Sequence, residues 1–153
     1  MSEENSIQVL TETEEDIGRL YEAYAKNMPE HEEFWFGLVL EEADHSNMVH
    51  SLVDKLNTGS VSFTSAPEVI DKLKEFRDFL INEKEQVKKE DLSFTDALQV
   101  ALDIENSIIK NGIYHLFTNP SGDVIEIMER LRHDNISHVR FLRKELEKYS
   151  KKH

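Results

Sequence analysis

Helix-breaking residues are scarce in this chain, whose 153 residues include 5 Gly and 3 Pro. Between these breakers, apolar residues recur every three to four positions, which is the spacing of one face of a helix. The spacing predicts four long helices, at about residues 12–28, 31–56, 93–117 and 120–149. Pro29 ends the first of them, and the short link that follows predicts an antiparallel hairpin of the first two helices.

A loop and a further helix are predicted between the second and third long helices. Residues 57–66 are rich in Ser, Thr and Gly, which indicates a loop, with room for one short extended stretch. Pro67 stands at a favourable first-turn position, and an apolar stripe follows to about residue 90. Two hairpins joined by such a crossover predict a single all-α domain over residues 1–153, a four-helix bundle with an extra helix in the crossover. We expect residues 1–8 and 150–153 to be flexible tails.

Charge and the lack of cysteine exclude several functions. A formal net charge of -13 opposes binding to nucleic acid and to anionic membrane surfaces. Without cysteine the chain forms no disulfide and no thiolate metal site, so any metal requires oxygen and imidazole ligands. No apolar run approaches the roughly 20 residues of a membrane-spanning helix, and residues 1–5 are acidic rather than a basic leader. We therefore expect a cytoplasmic protein.

Polar residues interrupt the apolar stripes near their centres, where only apolar side chains are expected. In the second helix the interruption is Glu42 with His45, which lie three residues apart and so share one face. In the third helix it is Glu105. An unpartnered buried carboxylate costs several kcal/mol. These residues are therefore expected to pair with one another or to hold a cation.

The same pattern recurs in the other two helices. Asn135 and His138 interrupt the stripe of the fourth helix at the spacing that the second helix uses. Glu14 interrupts the first, about as far before the Pro29 turn as Glu42 lies after it, so the two glutamates are expected to face each other. Polar interruptions in all four helices favour one shared site in the core.

These positions resemble those of the ferritin-like superfamily, specifically the di-iron domain of rubrerythrins. There one helix supplies a Glu, the next an E-x-x-H, the third a Glu and the fourth a second E-x-x-H. The resemblance covers nearly the whole chain and includes the strings IGRLYEAYA, PEHEEFWFGLVLEEADH and ALDIENSI. It implies a ferritin-like bundle that uses iron to reduce peroxide or activate oxygen, and a homodimer is one option. The implied metal ligands are Glu14, Glu42, His45, Glu105 and His138.

The chain departs from the family pattern at three points. Asn135 occupies the position that Glu has in the second E-x-x-H, three residues before His138. Ile108 occupies the position of a further Glu that rubrerythrins place three residues after the one matched by Glu105. The cysteine-ligated rubredoxin-like domain is absent, so redox activity would require an external electron donor. Three carboxylates balance less charge than two divalent ions carry. The number of bound ions, one or two, therefore stays open. Asn135 itself and Asp134, which points about 100° around the helix from it, are the remaining candidate ligands.

Two other functions stay open from the residues alone. The polar core residues could pair among themselves in a metal-free structural or partner-binding bundle, for example an imidazolium of His45 or His138 against Glu105. Alternatively, His45, His138 and two glutamates could hold a single zinc or manganese ion. Tyr21 and Tyr24 are expected either to donate hydrogen bonds to the ligands or to fill the core. His115 and Tyr114 could reach the edge of the site, whereas solvent exposure is expected for His31, His50, His133 and His153.

Overall fold

The computed structural model describes residues 3–59, 64–89, 91–110, 116–118 and 122–150. These residues are almost all helical, so the all-α prediction is confirmed. The helices are α1 (Glu3–Asn27), α2 (Glu32–Asn57), α3 (Pro67–Lys89), α4 (Phe94–Lys110) and α5 (Gly122–Ser150), with a 3-10 turn at Pro29–His31. Two short strands, β1 (Thr64–Ser65) and β2 (Phe117–Thr118), pair antiparallel.

Helix α1 begins well before the predicted start near residue 12. Residues 3–8, which we expected in a flexible tail, belong to the helix, and Ile7 is completely buried. Thr11 and Thr13, near the predicted start, do not break the helix. The Thr11 hydroxyl donates to the Ile7 carbonyl oxygen at 2.8 Å, and that of Thr13 to the Val9 carbonyl oxygen at 2.7 Å. Both hydroxyls are thus satisfied within the helix. Residues 1–2 and 151–153 of the predicted tails lie outside the described residues.

Helices α1 and α2 form the predicted hairpin around Pro29. The His31 N–H donates to the Met28 carbonyl oxygen at 2.9 Å and closes the turn, after which the two helices pack along their length. Helix α3 packs against the other side of α1 through the predicted apolar stripe. At this contact Arg77 of α3 forms ion pairs of 2.7 Å with both Glu12 and Asp16.

Helices α4 and α5 pack against each other, and α5 also contacts α2. The prediction that the third helix reaches residue 117 was wrong, because Phe117 lies in β2 opposite Ser65. At this point the backbone pairs with the crossover segment instead of continuing the helix. Helical periodicity gives no information about such pairing. The predicted extended stretch of the crossover is β1, although residues 60–63 lie outside the described part. The predicted start at Pro120 also lies outside it.

The rings of Tyr21, Tyr24 and Trp35 in the hairpin fill the core on the Pro29 side of the buried polar residues. Trp35 contacts Tyr24, with ring centroids 4.8 Å apart, and Tyr21, with centroids 5.7 Å apart. All three rings are fully buried. Within the described ranges, no helix is long and apolar enough to cross a bilayer.

Candidate metal centre

Side chains from α1, α2, α4 and α5 bring a group of polar residues together in the core. All of them were identified from the interrupted stripes, and each is less than a tenth exposed in an interior otherwise lined by apolar residues. The polar positions of the stripes therefore do face inward, as their spacing predicted. These residues are Glu14, Glu42, His45, Glu105, Asn135 and His138.

The acidic and imidazole groups form two triads that share one member. Oxygen and nitrogen atoms of Glu14, Glu42 and His45 lie within 4.8 Å of one another, and so do those of Glu42, Glu105 and His138. Glu42 belongs to both triads, so the four helices build one continuous cluster. The groups contributed by two separate hairpins thus converge on the Glu42 carboxylate.

His45 lies between the interior of this cluster and the protein surface. Its Nδ1 is 3.9 Å from Glu14 Oε2 and 3.7 Å from Glu42 Oε2, whereas its Nε2 is 3.0 Å from Asp134 Oδ2. Asp134 is about a third exposed and belongs to neither triad. Burial alone would raise its pKa, but the hydrogen bond and charge of His45 lower it. The structure thus places Asp134 beside His45 rather than within either triad.

His138 has a similar arrangement on the opposite helix. Its Nδ1 is 3.5 Å from Glu105 Oε1, and its Nε2 contacts Glu41 Oε2. Glu41 was not predicted as a site residue, because its side chain lies off the apolar stripe and is half exposed. One available signal was spacing, since Glu41 precedes His45 by four residues, as Asp134 precedes His138.

Glu105 is the most extensively hydrogen-bonded carboxylate of the cluster. The Tyr21 hydroxyl donates to Oε1 at 3.1 Å, and the Asn135 amide donates to Oε2. Tyr21 therefore donates a hydrogen bond to a carboxylate of the cluster, which is the first of the two roles predicted for it. Tyr24 packs against Trp35 instead, and its buried hydroxyl finds no hydrogen-bond partner in the described part of the chain.

Burial changes the protonation of the cluster. It raises the pKa of Glu42 to about 8, and the charges of Glu105 and Glu41 act in the same direction. Burial and the nearby charge of Glu42 also raise the pKa of Glu14 well above its usual value. For His138 burial favours the neutral ring, but Glu105 and Glu41 outweigh it and raise the pKa to about 9. Without a cation the cluster therefore retains protons, which metal binding would displace.

Three polar atoms at the centre have no hydrogen-bond partner among the described residues. Glu42 Oε2, Asn135 Oδ1 and His138 Nδ1 are buried and form no hydrogen bond with any described residue. A cavity of about 10 Å³ adjoins Glu42 and Asn135, and Glu14, His45, Glu105 and apolar residues border it as well. Such a volume approaches what one water needs. The Glu42 carboxylate oxygen and the Asn135 amide oxygen have no hydrogen-bond donor in the described structure and border this cavity. Oxygens of this kind are suitable ligands for a divalent cation.

The remaining predicted residues lie away from the cluster or outside the described residues. His50 and His133 are exposed as expected. The expectation for His31 was wrong, because its ring stacks on Phe94 with centroids 3.6 Å apart and is only partly exposed. Predictions for Tyr114, His115 and His153 lie outside the described residues.

Comparison with known proteins identifies no relative. No family model, no curated protein and no solved structure matches the chain.

Proposed function

We propose that this protein is a metal-binding, ferritin-like four-helix bundle related to rubrerythrin. In this proposal iron, as one or two ions, is held by Glu14, Glu42, His45, Glu105 and His138. The observation that carries the proposal is the pair of buried oxygens without a hydrogen-bond partner in the described ranges, Glu42 Oε2 and Asn135 Oδ1, beside the small cavity where the two triads meet. Buried groups of this kind are costly unless a partner satisfies them, and a cation is the partner that suits all of them.

The chemistry of the ligand set favours iron or a similar ion. Carboxylate oxygens suit hard divalent cations, and imidazole nitrogen suits iron, manganese and zinc. The chain contains no thiolate that would select a softer metal. Glu42 is shared by the two triads, so its carboxylate would serve both positions if two ions were bound. The zinc or manganese alternative uses the same residues.

Asn135 determines what the site can do in this proposal. Its amide donates to Glu105, while its own oxygen is left without a donor, so it offers a neutral ligand where the family pattern has a carboxylate. Three carboxylates fully balance one divalent ion and only partly balance two. Bound iron would supply the capacity to reduce peroxide or activate oxygen. In this proposal an external electron donor would supply the electrons for such a reaction.

A metal-free structural role is the alternative, and one observation favours it. Glu105 already accepts hydrogen bonds from Tyr21 and Asn135, and lies 3.5 Å from a His138 ring whose pKa is raised to about 9. In this half of the cluster, an imidazolium would balance the charge of the carboxylate without metal. The two hydrogen-bond donors already satisfy its oxygens. The Glu14, Glu42 and His45 half has no comparable set of donors among the described residues.

Anaerobic titration of the apoprotein with ferrous ion distinguishes these functions. Calorimetry counts the ions, and exposure to oxygen or peroxide then reports oxidation through the absorption band that appears. Two ions per chain support an intact di-iron site, one supports a site limited by Asn135, and none refutes the metal proposal. Glu42→Gln should abolish tight binding because it alters both triads. The exposed Glu33 of the same helix provides the control Glu33→Gln, which should bind as the unmodified protein does.

A further inference from the structure

Helices α2 and α5 each provide a carboxylate for the histidine of the other helix. Asp134 of α5 accepts from His45 Nε2 of α2 at 3.0 Å, and Glu41 of α2 contacts His138 Nε2 of α5. Each carboxylate lies four residues before the histidine of its own helix, so carboxylate and histidine occupy neighbouring turns of one face. The contact between α2 and α5 is therefore reciprocal at this point.

The two nitrogens of each ring face different surroundings. Both Nε2 atoms point toward an open pocket of about 340 Å³ that Glu41 and Asp134 line. Both Nδ1 atoms point toward the buried carboxylates, His45 toward Glu14 and Glu42 and His138 toward Glu105. The surface carboxylates thus contact only the outer nitrogen of each imidazole.

The chemistry of this contact determines where the ring proton resides. An ionised carboxylate accepts hydrogen bonds and donates none, so the Nε2 beside it must carry hydrogen. In the neutral ring Nδ1 then holds the lone pair, which faces the triads. We infer that Glu41 and Asp134 are positioning residues that orient His138 and His45 with Nδ1 directed at a divalent cation. This inference rests on the proposed metal-binding function.

Stability alone is a poor explanation for these pairs. Ion pairs near the surface contribute little to stability, and Glu41 and Asp134 are half and one-third exposed. Carboxylates that hold metal-ligating histidines, by contrast, affect metal affinity by about 10–100-fold. Asp44 provides a matched comparison. It lines the same pocket but pairs with Arg130 at 3.2 Å rather than with a histidine.

Calorimetric titration with Co²⁺ tests the effect on affinity. Glu41→Ala and Asp134→Ala should each weaken Co²⁺ binding by about 10–100-fold. Glu41→Gln and Asp134→Asn should recover most of that loss, because their amide oxygens still accept from Nε2. Asp44→Ala should bind as the unmodified protein does. Circular dichroism checks that each variant folds. Unchanged affinity in both alanine variants, or an equal loss in Asp44→Ala, would overturn the inference.

Nitrogen-15 NMR of the histidine rings tests the orientation in the apoprotein. In spectra of the neutral rings, His45 and His138 should show hydrogen on Nε2 and a bare Nδ1. In Asp134→Ala the His45 ring should become a mixture of the two forms. Hydrogen on Nδ1 in the unmodified protein would contradict the positioning role. The expected NMR pattern in a protein that binds no Co²⁺ would refute the proposed metal function while supporting the orienting role of the carboxylates.

Discussion

The apoprotein should lose stability as the pH rises through the neutral range, and Glu42 should be a main cause. Burial raises the pKa of Glu42 from 4.5 to about 8 in the folded state. A group whose pKa is raised on folding binds its proton more tightly in the folded protein. Its stabilising contribution is therefore complete below pH 4.5 and is lost as the pH rises through about 8.

The size of this effect follows from the same interval. A tenfold change in an equilibrium constant corresponds to about 1.4 kcal/mol, so the interval from 4.5 to about 8 corresponds to about 5 kcal/mol. Many domains have only about 5–15 kcal/mol of stability. The raised pKa of Glu14 acts with the same sign. That of His138 does so as well, since its proton is lost as the pH passes about 9.

Urea unfolding of chelator-treated protein at a series of pH values measures this dependence. The free energy of unfolding should fall between pH 4.5 and about 8, and Glu42→Gln, which cannot ionise, should show a clearly shallower fall. Glu33→Gln, on the exposed face of the same helix, should follow the unmodified protein. A stability that is constant or rises with pH, or a Glu42→Gln variant with an unchanged slope, would refute the reasoning.

Three further substitutions, the second of them with a control variant, test separate contacts. Asn135→Glu adds the missing carboxylate and should raise ferrous affinity in an anaerobic titration; unchanged affinity would count against the role assigned to Asn135. Tyr21→Phe removes a buried hydrogen bond to Glu105 and should cost about 1.5–3 kcal/mol in urea unfolding. Tyr24→Phe, whose hydroxyl has no described partner, should cost little, and equal losses would contradict this assignment. Ser93→Ala removes the side-chain cap of α4, a 3.1 Å bond from the Asp96 N–H, and should cost about 1 kcal/mol; thermal unfolding that does not change would argue against this cap.

The core-facing positions of the candidate site could be predicted because helical periodicity determines which residues share a face. Glu42 with His45, and Asn135 with His138, each interrupt an apolar stripe at a spacing of three. The structure places all four in the interior. Glu14 and Glu105 were likewise recognisable as carboxylates at apolar positions. Local spacing thus indicated which side chains enter the core.

Contacts between helices could not be predicted in the same way. The Asn135 donation to Glu105 and the contact of Glu41 with His138 depend on how α2, α4 and α5 are rotated and shifted against one another. Periodicity within one helix carries no information about that arrangement. The placement of Phe117 in a strand depends on pairing with Ser65, about fifty residues earlier. The early start of α1 depended on threonine hydroxyls bonding within the helix.

Anomalous diffraction from crystals grown with ferrous ion under anaerobic conditions tests the central claim most directly. The account predicts an iron peak in the core between the two triads, beside Glu42 and within bonding distance of Nδ1 of His45 or His138. One peak would indicate a site limited by Asn135, and two would indicate a di-iron site bridged by Glu42. A core without any iron peak, with Glu42 paired only to protein groups, would contradict the proposal that this cluster binds metal.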